Sequence, residues 1–165
     1  MQPGRIVIRA PARLHFGLFS FGNAGRQFGG VGVMVRQPAV QLALAPAKEF
    51  VTHGIYAPRL QQVARNWARR HANEALPQCE VQVLTAPPQH VGLGSGTQVA
   101  LALATSLNVW HQLDVPTATE LAELTGRGKR SAVGTYGFLQ GGMIVESGKQ
   151  LGEHLAPLKA RHPFP

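Results

Sequence analysis

Pro88-Gln-His-Val-Gly92-Leu93-Gly94-Ser95-Gly96-Thr97 runs directly into Gln98-Val-Ala-Leu-Ala-Leu-Ala-Thr-Ser-Leu107, and this junction decides how the rest of the chain is read. Glycines let a backbone wrap closely around an anion, and Ser95 and Thr97 add hydroxyl donors. A helix opening at Gln98 aims free N–H groups and the positive end of its dipole at the same point. The stretch therefore predicts a phosphate cradle at Gly92, Gly94, Ser95, Gly96 and Thr97. The plainer alternative is a glycine-rich turn that only admits the chain to a helix. Two familiar phosphate loops fit less well. A Walker loop needs Lys after its last Gly, where Thr97 and Gln98 stand, and a dinucleotide fingerprint wants Gly in place of Thr97. Asp114 lies at a suitable distance for a ribose acid, but Leu113-Asp-Val-Pro116 reads as a turn and not as a strand end.

Outward from the junction, Arg5–Arg9 and Ala12–Phe19 read as strands, the second placing Arg13 and His15 on one face against Leu14, Phe16 and Leu18. Five glycines between Phe21 and Gly32 predict a flexible loop, followed by strands at Val31–Val35 and over Val40, Leu42 and Leu44. From Arg59 to Leu76 apolar residues recur at helical spacing and predict an amphipathic helix in which Trp67 is core, as is Trp110 further on. Cys79, Val81 and Val83 alternate in a strand that Pro87-Pro88 ends. Thr117-Ala-Thr-Glu120 has the capping-box pattern, and Gly126 stops the helix it opens. Gly126-Arg-Gly-Lys-Arg-Ser131 then sets three cations and a hydroxyl beside two glycines, ahead of a strand at Met143–Glu146. Such a run is either a solvated surface or, with Arg as forked donor and Lys as point charge, a second phosphate loop.

The chain has 165 residues, 44% of them hydrophobic, enough for one domain with a core. Sixteen Lys+Arg against eight Asp+Glu give a net charge of +8, and no acid precedes Glu49. That balance suits nucleic acid or a highly phosphorylated small ligand. Asp114 is the only aspartate, which leaves little for a carboxylate cage around a hard cation or for a close pair of catalytic aspartates. The single Cys79 excludes an internal disulfide and any Cys-based zinc motif, and predicts a reducing compartment. With no signal core and no apolar helix of about 20 residues, the expected location is the cytoplasm. No metal site is expected.

Four segments in one order, Arg13-Leu-His-Phe-Gly-Leu18, Phe28-Gly-Gly-Val-Gly32, His90-Val-Gly-Leu-Gly-Ser-Gly-Thr-Gln98 and Gly126-Arg-Gly-Lys-Arg-Ser131 with Gly141-Gly142, carry a resemblance. Gly92-Leu93-Gly94-Ser95 is similar to the phosphate loop of the GHMP kinase superfamily. The full set resembles one branch of it, the beta-ribofuranosylaminobenzene 5'-phosphate synthases. The resemblance implies an α+β fold, a mixed sheet with helices packed on one face and a left-handed βαβ unit. It covers the N-terminal half of that family, so residues 1–155 are expected to form the phosphate-binding domain and 156–165 to open a linker toward a further, C-terminal domain. The chain thus resembles a truncated protein, inactive alone, since the superfamily's active site lies between two domains.

For chemistry, the resemblance implies condensation of 4-aminobenzoate or 4-hydroxybenzoate with phosphoribosyl pyrophosphate, releasing CO2 and pyrophosphate, at the start of methanopterin biosynthesis. Arg13 and His15 become the catalytic candidates, for the benzoate carboxylate or the leaving group. The loop holds one phosphate, and Arg127, Lys129 and Arg130 take another. Mg2+ accompanying the pyrophosphate is the one cofactor implied, with no redox cofactor; a homodimer is compatible. Kinases of the superfamily usually carry a second serine where Gly96 stands, and many carry an aspartate base where this chain runs Ser131-Ala-Val-Gly134-Thr135. A GHMP-type small-molecule kinase is accordingly the second reading. A basic RNA-binding or structural module is the third, weakened because the cations are not interleaved with exposed aromatics.

Overall fold

Alternating apolar residues build two long strands where the sequence predicts four. In the computed structural model, which describes residues 4–20, 25–71 and 74–163, β1 spans Ile6–Phe19 and β2 spans Gly29–Pro46. They pair antiparallel over most of their length. The expected breaks are absorbed within the ladder: pairing steps from Pro11↔Ala39 to Ala12↔Val35, leaving residues 36–38 of β2 unpaired. This irregularity changes the parity of β1. Before it, Ile6, Ile8 and Ala10 pack into the core; after it, Arg13 and His15 face the helical side. Leu14 and Phe16 consequently lie on the outer face and are exposed.

The other strands are β3 (Val51–Thr52), β4 (Cys79–Thr85), β5 (Met143–Glu146) and β6 (Leu158–His162). Their order is β3-β4-β2-β5-β6, with β1 on β2. Among the described residues only β3 and β4 pair in parallel, joined through helix α1 (Ala57–His71) as a βαβ unit in an otherwise antiparallel sheet. Within the stretch expected to open a linker, residues 158–162 form a strand paired with β5, and residues 164–165 lie outside the described residues.

Helix α2 (Ser95–Trp110) is apolar on all sides, so it has to be surrounded. It packs on β1 and β2 and against α1, α3 (Ala118–Thr125) and α4 (Val133–Gln140). Trp67 and Trp110 are 1% exposed and belong to this core, where the Trp67 Nε1–H donates to Asn108 Oδ1 at 2.8 Å. Burial pushes the Cys79 thiol up to about 12, marking it as an unreactive core residue. Helix α1 ends at His71 rather than Leu76, with Arg69, Arg70 and His71 set against the negative end of its dipole. The capping box of Thr117 and Glu120 forms, and Gly126 closes α3 in the left-handed conformation.

Gly29, Gly30 and Gly32 lie in β2 rather than in the expected loop, whose residues 21–24 are outside the described part. Steric closeness selects glycine there. A Cβ at Gly32 would sit 2.5 Å from the Leu14 carbonyl oxygen and 2.8 Å from a Val133 methyl. Gly32→Ala is therefore expected to destabilise the fold by about 1–3 kcal/mol, read as a lowered urea midpoint at unchanged slope.

Candidate functional site

Helix α2 opens at Ser95, three residues before Gln98, so the first turn is itself part of the glycine loop. Gly94 is its N-cap at φ 68, and its carbonyl accepts from the Thr97 and Gln98 amides at 2.9 and 3.0 Å. The Ser95 and Gly96 amides are the orphan donors that a helix start leaves. The loop is tied to β1 by the Arg13 amide, which donates to the Leu93 carbonyl at 3.0 Å. Ser95 is only 4% exposed, and its hydroxyl donates to the Pro88 carbonyl at 3.4 Å.

Two cavities meet at this helix start. One, of about 380 Å³, is walled by Gly92, Gly94, Ser95, Gly96, Thr97 and His90, and Arg59 from α1 reaches it. The other, of about 410 Å³, is walled by His15, Lys129, Arg130, Ser131, Gly134 and Thr135. Arg13, Thr97 and Arg127 line both. Every site residue expected from the sequence thus lies on one of two adjoining cavities: the loop glycines on the first, His15, Lys129 and Arg130 on the second, with Arg13 and Arg127 between them. Arg59 was not foreseen. It occupies the N-terminal turn of an amphipathic helix, and only the packing of α1 beside α3, where its guanidinium donates to the Thr125 carbonyl, turns it inward.

The electrostatics of the two cavities favour negative charge. Burial and the Arg127 charge lower the pKa of both Arg13 and Arg59, and burial lowers that of Arg127. Among the described residues the three form no salt bridge, and the buried Nε groups of Arg13 and Arg59 have no hydrogen-bond partner. Clustered, desolvated and unpaired guanidiniums are costly unless an anion supplies charge-assisted hydrogen bonds. Neither cavity is lined by a carboxylate among the described residues.

A second group missed from sequence is Glu146, the last residue of β5, which is 4% exposed behind the wall of the second cavity. Its Oε2 accepts from the Ala132 amide at 2.6 Å, at the start of α4. Burial raises its pKa, against the opposing pull of the Ser131 hydroxyl, nearby amides and Arg13. In front of it, His15 Nε2 lies 3.0 Å from Ser131 Oγ. The His15 pKa is lowered by burial and by Arg13, so the ring is neutral near pH 7. Its proximity to Glu146 could not be read from positions 131 residues apart in the chain, because both meet over Gly30, whose Cβ would touch the two of them.

Comparison with known proteins identifies the family and the fold. Residues 59–143 match the GHMP kinases N terminal domain. The chain is 32% identical over 96% of its length to a beta-ribofuranosylphenol 5'-phosphate synthase of Archaeoglobus fulgidus, covering 54% of that protein. It is 33% identical over 87% of its length to the protein of the same name from Methanothermobacter thermautotrophicus, covering 46%. Among solved structures, Streptococcus pneumoniae phosphomevalonate kinase superposes with a TM-score of 0.66 at 12% identity, over 90% of this chain and 49% of the other. The chain belongs to the GHMP kinase superfamily, and its curated relatives are the synthases that its four motifs resemble. It spans about half the length of those relatives.

Two expectations follow from the site. A Cβ at Gly94 would lie 3.1 Å from Arg13 Nε while the backbone holds φ 68. Gly94→Ala should cost about 1–2 kcal/mol of stability and weaken phosphate binding in calorimetry, and Gly94→Val should weaken binding further, because a β-branched residue tolerates this conformation least. For His15, the folded pKa lies below the unfolded value, so the unfolded chain gains a proton first as pH falls. The stability that depends on a neutral His15 is complete above about pH 6.5 and is lost below it. The stability difference between wild type and His15→Gln should accordingly shrink from pH 7.5 to 5.5 in urea unfolding.

Proposed function

We propose that this chain forms the phosphate-binding part of an enzyme that joins a 4-substituted benzoate to phosphoribosyl pyrophosphate, at the entry to methanopterin-type biosynthesis. The observation that carries the reading is the pair of adjoining cavities, lined by cations and helix-start amides and by no carboxylate among the described residues. Such a site suits a donor with two separated phosphate groups. The pyrophosphate and the 5'-phosphate each fill one cavity, and the ribose spans the ridge of Arg13, Thr97 and Arg127.

The bond between the sugar C1' and the pyrophosphate oxygen breaks with its electron pair leaving on pyrophosphate, and Arg13 and Arg127 stabilise that charge as it develops. The ring carbon bearing the carboxylate bonds to C1'. The pair of the carbon–carboxylate bond then restores the aromatic ring as CO2 departs. The relatives' name describes a ribosylated phenol, which supports 4-hydroxybenzoate over 4-aminobenzoate as the acceptor. For Mg2+ the donor set is thin: Ser95 and Thr97 offer hydroxyls, and no group of three His, Cys, Asp or Glu stands together among the described residues. The ion fits as a passenger on the diphosphate rather than in a protein cage.

A kinase reading would ask for a carboxylate facing the acceptor hydroxyl, and Glu146 lies behind the wall, bound to the Ala132 amide. The test is release of labelled CO2 from carboxyl-labelled 4-hydroxybenzoate and 4-aminobenzoate with phosphoribosyl pyrophosphate, using a protein extended to the length of the relatives. CO2 release with negligible substrate-dependent ADP formation is expected, and Arg13→Ala or Arg127→Ala should lower the rate by roughly a hundredfold or more. The 165-residue chain alone should bind phosphoribosyl pyrophosphate but turn it over poorly. Vigorous ADP release from an alcohol substrate, without CO2, would replace this reading with the kinase one.

A further inference from the structure

Both ring nitrogens of His15 have partners within the protein. Nδ1 accepts the Gly17 N–H at 3.2 Å, so the proton of the neutral ring sits on Nε2. Nε2 therefore donates to Ser131 Oγ at 3.0 Å. The Val133 amide donates to the same oxygen at 3.3 Å, which fills its two acceptor positions. The one remaining capability of Ser131 is to give away its own proton. Two acceptors are in prospect: the Glu146 carboxylate behind it, and whatever occupies the cavity that Ser131 shares with Arg127, Lys129 and Arg130.

Serine, histidine and carboxylate in contact suggest a nucleophile triad, but the polarity runs the other way. In a triad the imidazole accepts the hydroxyl proton on one nitrogen and donates to the carboxylate from the other. Here Nε2 carries the proton and Nδ1 is occupied by a backbone N–H, so His15 cannot deprotonate Ser131. The carboxylate also accepts from neither ring nitrogen: its Oε2 is held by the Ala132 amide at 2.6 Å, its Oε1 is without a partner, and the residue is 4% exposed. Gly30 leaves the space in which ring and carboxylate meet: a Cβ there would lie 3.1 Å from the imidazole and 2.9 Å from Glu146 Oε1. The arrangement fixes the Ser131 oxygen from two sides and leaves its proton to turn.

Resting on the anion-binding reading above, we propose that Ser131 is a ligand-contacting hydroxyl that donates to a phosphate oxygen in the second cavity, and that His15 and Glu146 are positioning residues that present it. The cations fix the phosphate by charge, and the serine adds a directed hydrogen bond that selects its orientation.

Calorimetric titration of the intact protein with inorganic pyrophosphate tests this, with circular dichroism to confirm folding of each variant. Ser131→Ala should weaken binding by about tenfold or more, while Ser131→Thr keeps most of it. His15→Gln retains a neutral N–H donor and cannot act as a base; it should stay within about threefold of wild type, whereas His15→Ala approaches Ser131→Ala. Nitrogen NMR of labelled histidine should show the Nε2–H tautomer at His15. Wild-type affinity in Ser131→Ala, an Nδ1–H tautomer, equal loss in His15→Gln and His15→Ala, or no pyrophosphate binding by wild type would each overturn the assignment. Should Ser131→Ala fail to fold, the tautomer and the Ser131→Thr and His15→Gln affinities decide. Binding of pyrophosphate but not of phosphoribosyl pyrophosphate would remove the proposed function and leave Ser131 in its assigned place.

Discussion

Helix α2 is buried on every side, and the site exists because of that constraint. Leu101, Leu103 and Leu107 are fully buried, each contributing about 1.5–3 kcal/mol relative to exposure, and nearly every residue of the helix shares their environment. A helix held this way has a fixed start. Its first turn emerges where α1, α3–α4 and β1 come together, so the Ser95 and Gly96 amides are met by Arg59, Arg127 and Arg13 from three different elements. The apolar core thus places charges that would not gather by themselves. Burial, and after it the Arg127 charge, lowers the pKa values of Arg13 and Arg59, and this cost is tolerated because the packing that enforces it is large.

Close packing at glycines carries the same logic into the second cavity. Helix α4 lies close on β2 because Gly137 meets the Met34 side chain without a Cβ between them, and it is tied to α2 by Gln98 Nε2, which donates to the Gly134 carbonyl at 3.2 Å. That contact puts the start of α4 against Glu146, whose carboxylate satisfies the Ala132 amide and complements the helix dipole. Ser131, immediately ahead, is thereby pinned between this helix start and His15. The structural duty of Glu146 and the presentation of Ser131 are two effects of one placement.

What the sequence made legible was local. The glycine loop, the capping box of Thr117 and Glu120, the stop at Gly126 and the core tryptophans follow from short-range spacing, and the structure has each of them. The basic loop at Arg127, Lys129 and Arg130 was legible as a motif, though not its position beside the glycine loop. What stayed hidden was long-range. Whether Gly29, Gly30 and Gly32 make a loop or a crowded strand depends on Leu14, His15, Val133 and Glu146, none of which is near them in sequence. Strand continuity across Pro11 depends on β2 leaving residues 36–38 unpaired, a property of the partner and not of β1. Arg59 and Glu146 carry ordinary local signatures, a helix start and a strand end. Only tertiary packing gives them a place in the site.

The position of one carboxylate separates the chemistries open to this fold. A structure with a TM-score of 0.66 to this chain is a kinase, so the scaffold itself does not choose. An acid on the cavity wall would pair with Arg13 or Arg127, lower the positive potential and repel a ligand bearing several phosphate charges. Glu146 is instead sequestered: burial raises its pKa, its Oε2 is held by a helix start, and a serine stands between it and the cavity. Arg13 feels it as a distant stabilising charge while remaining available to an anion. A wall composed in this way favours a bound anionic group and, among the described residues, presents no carboxylate to an incoming hydroxyl, which supports the proposed transfer from a pyrophosphate donor over phosphoryl transfer to an alcohol.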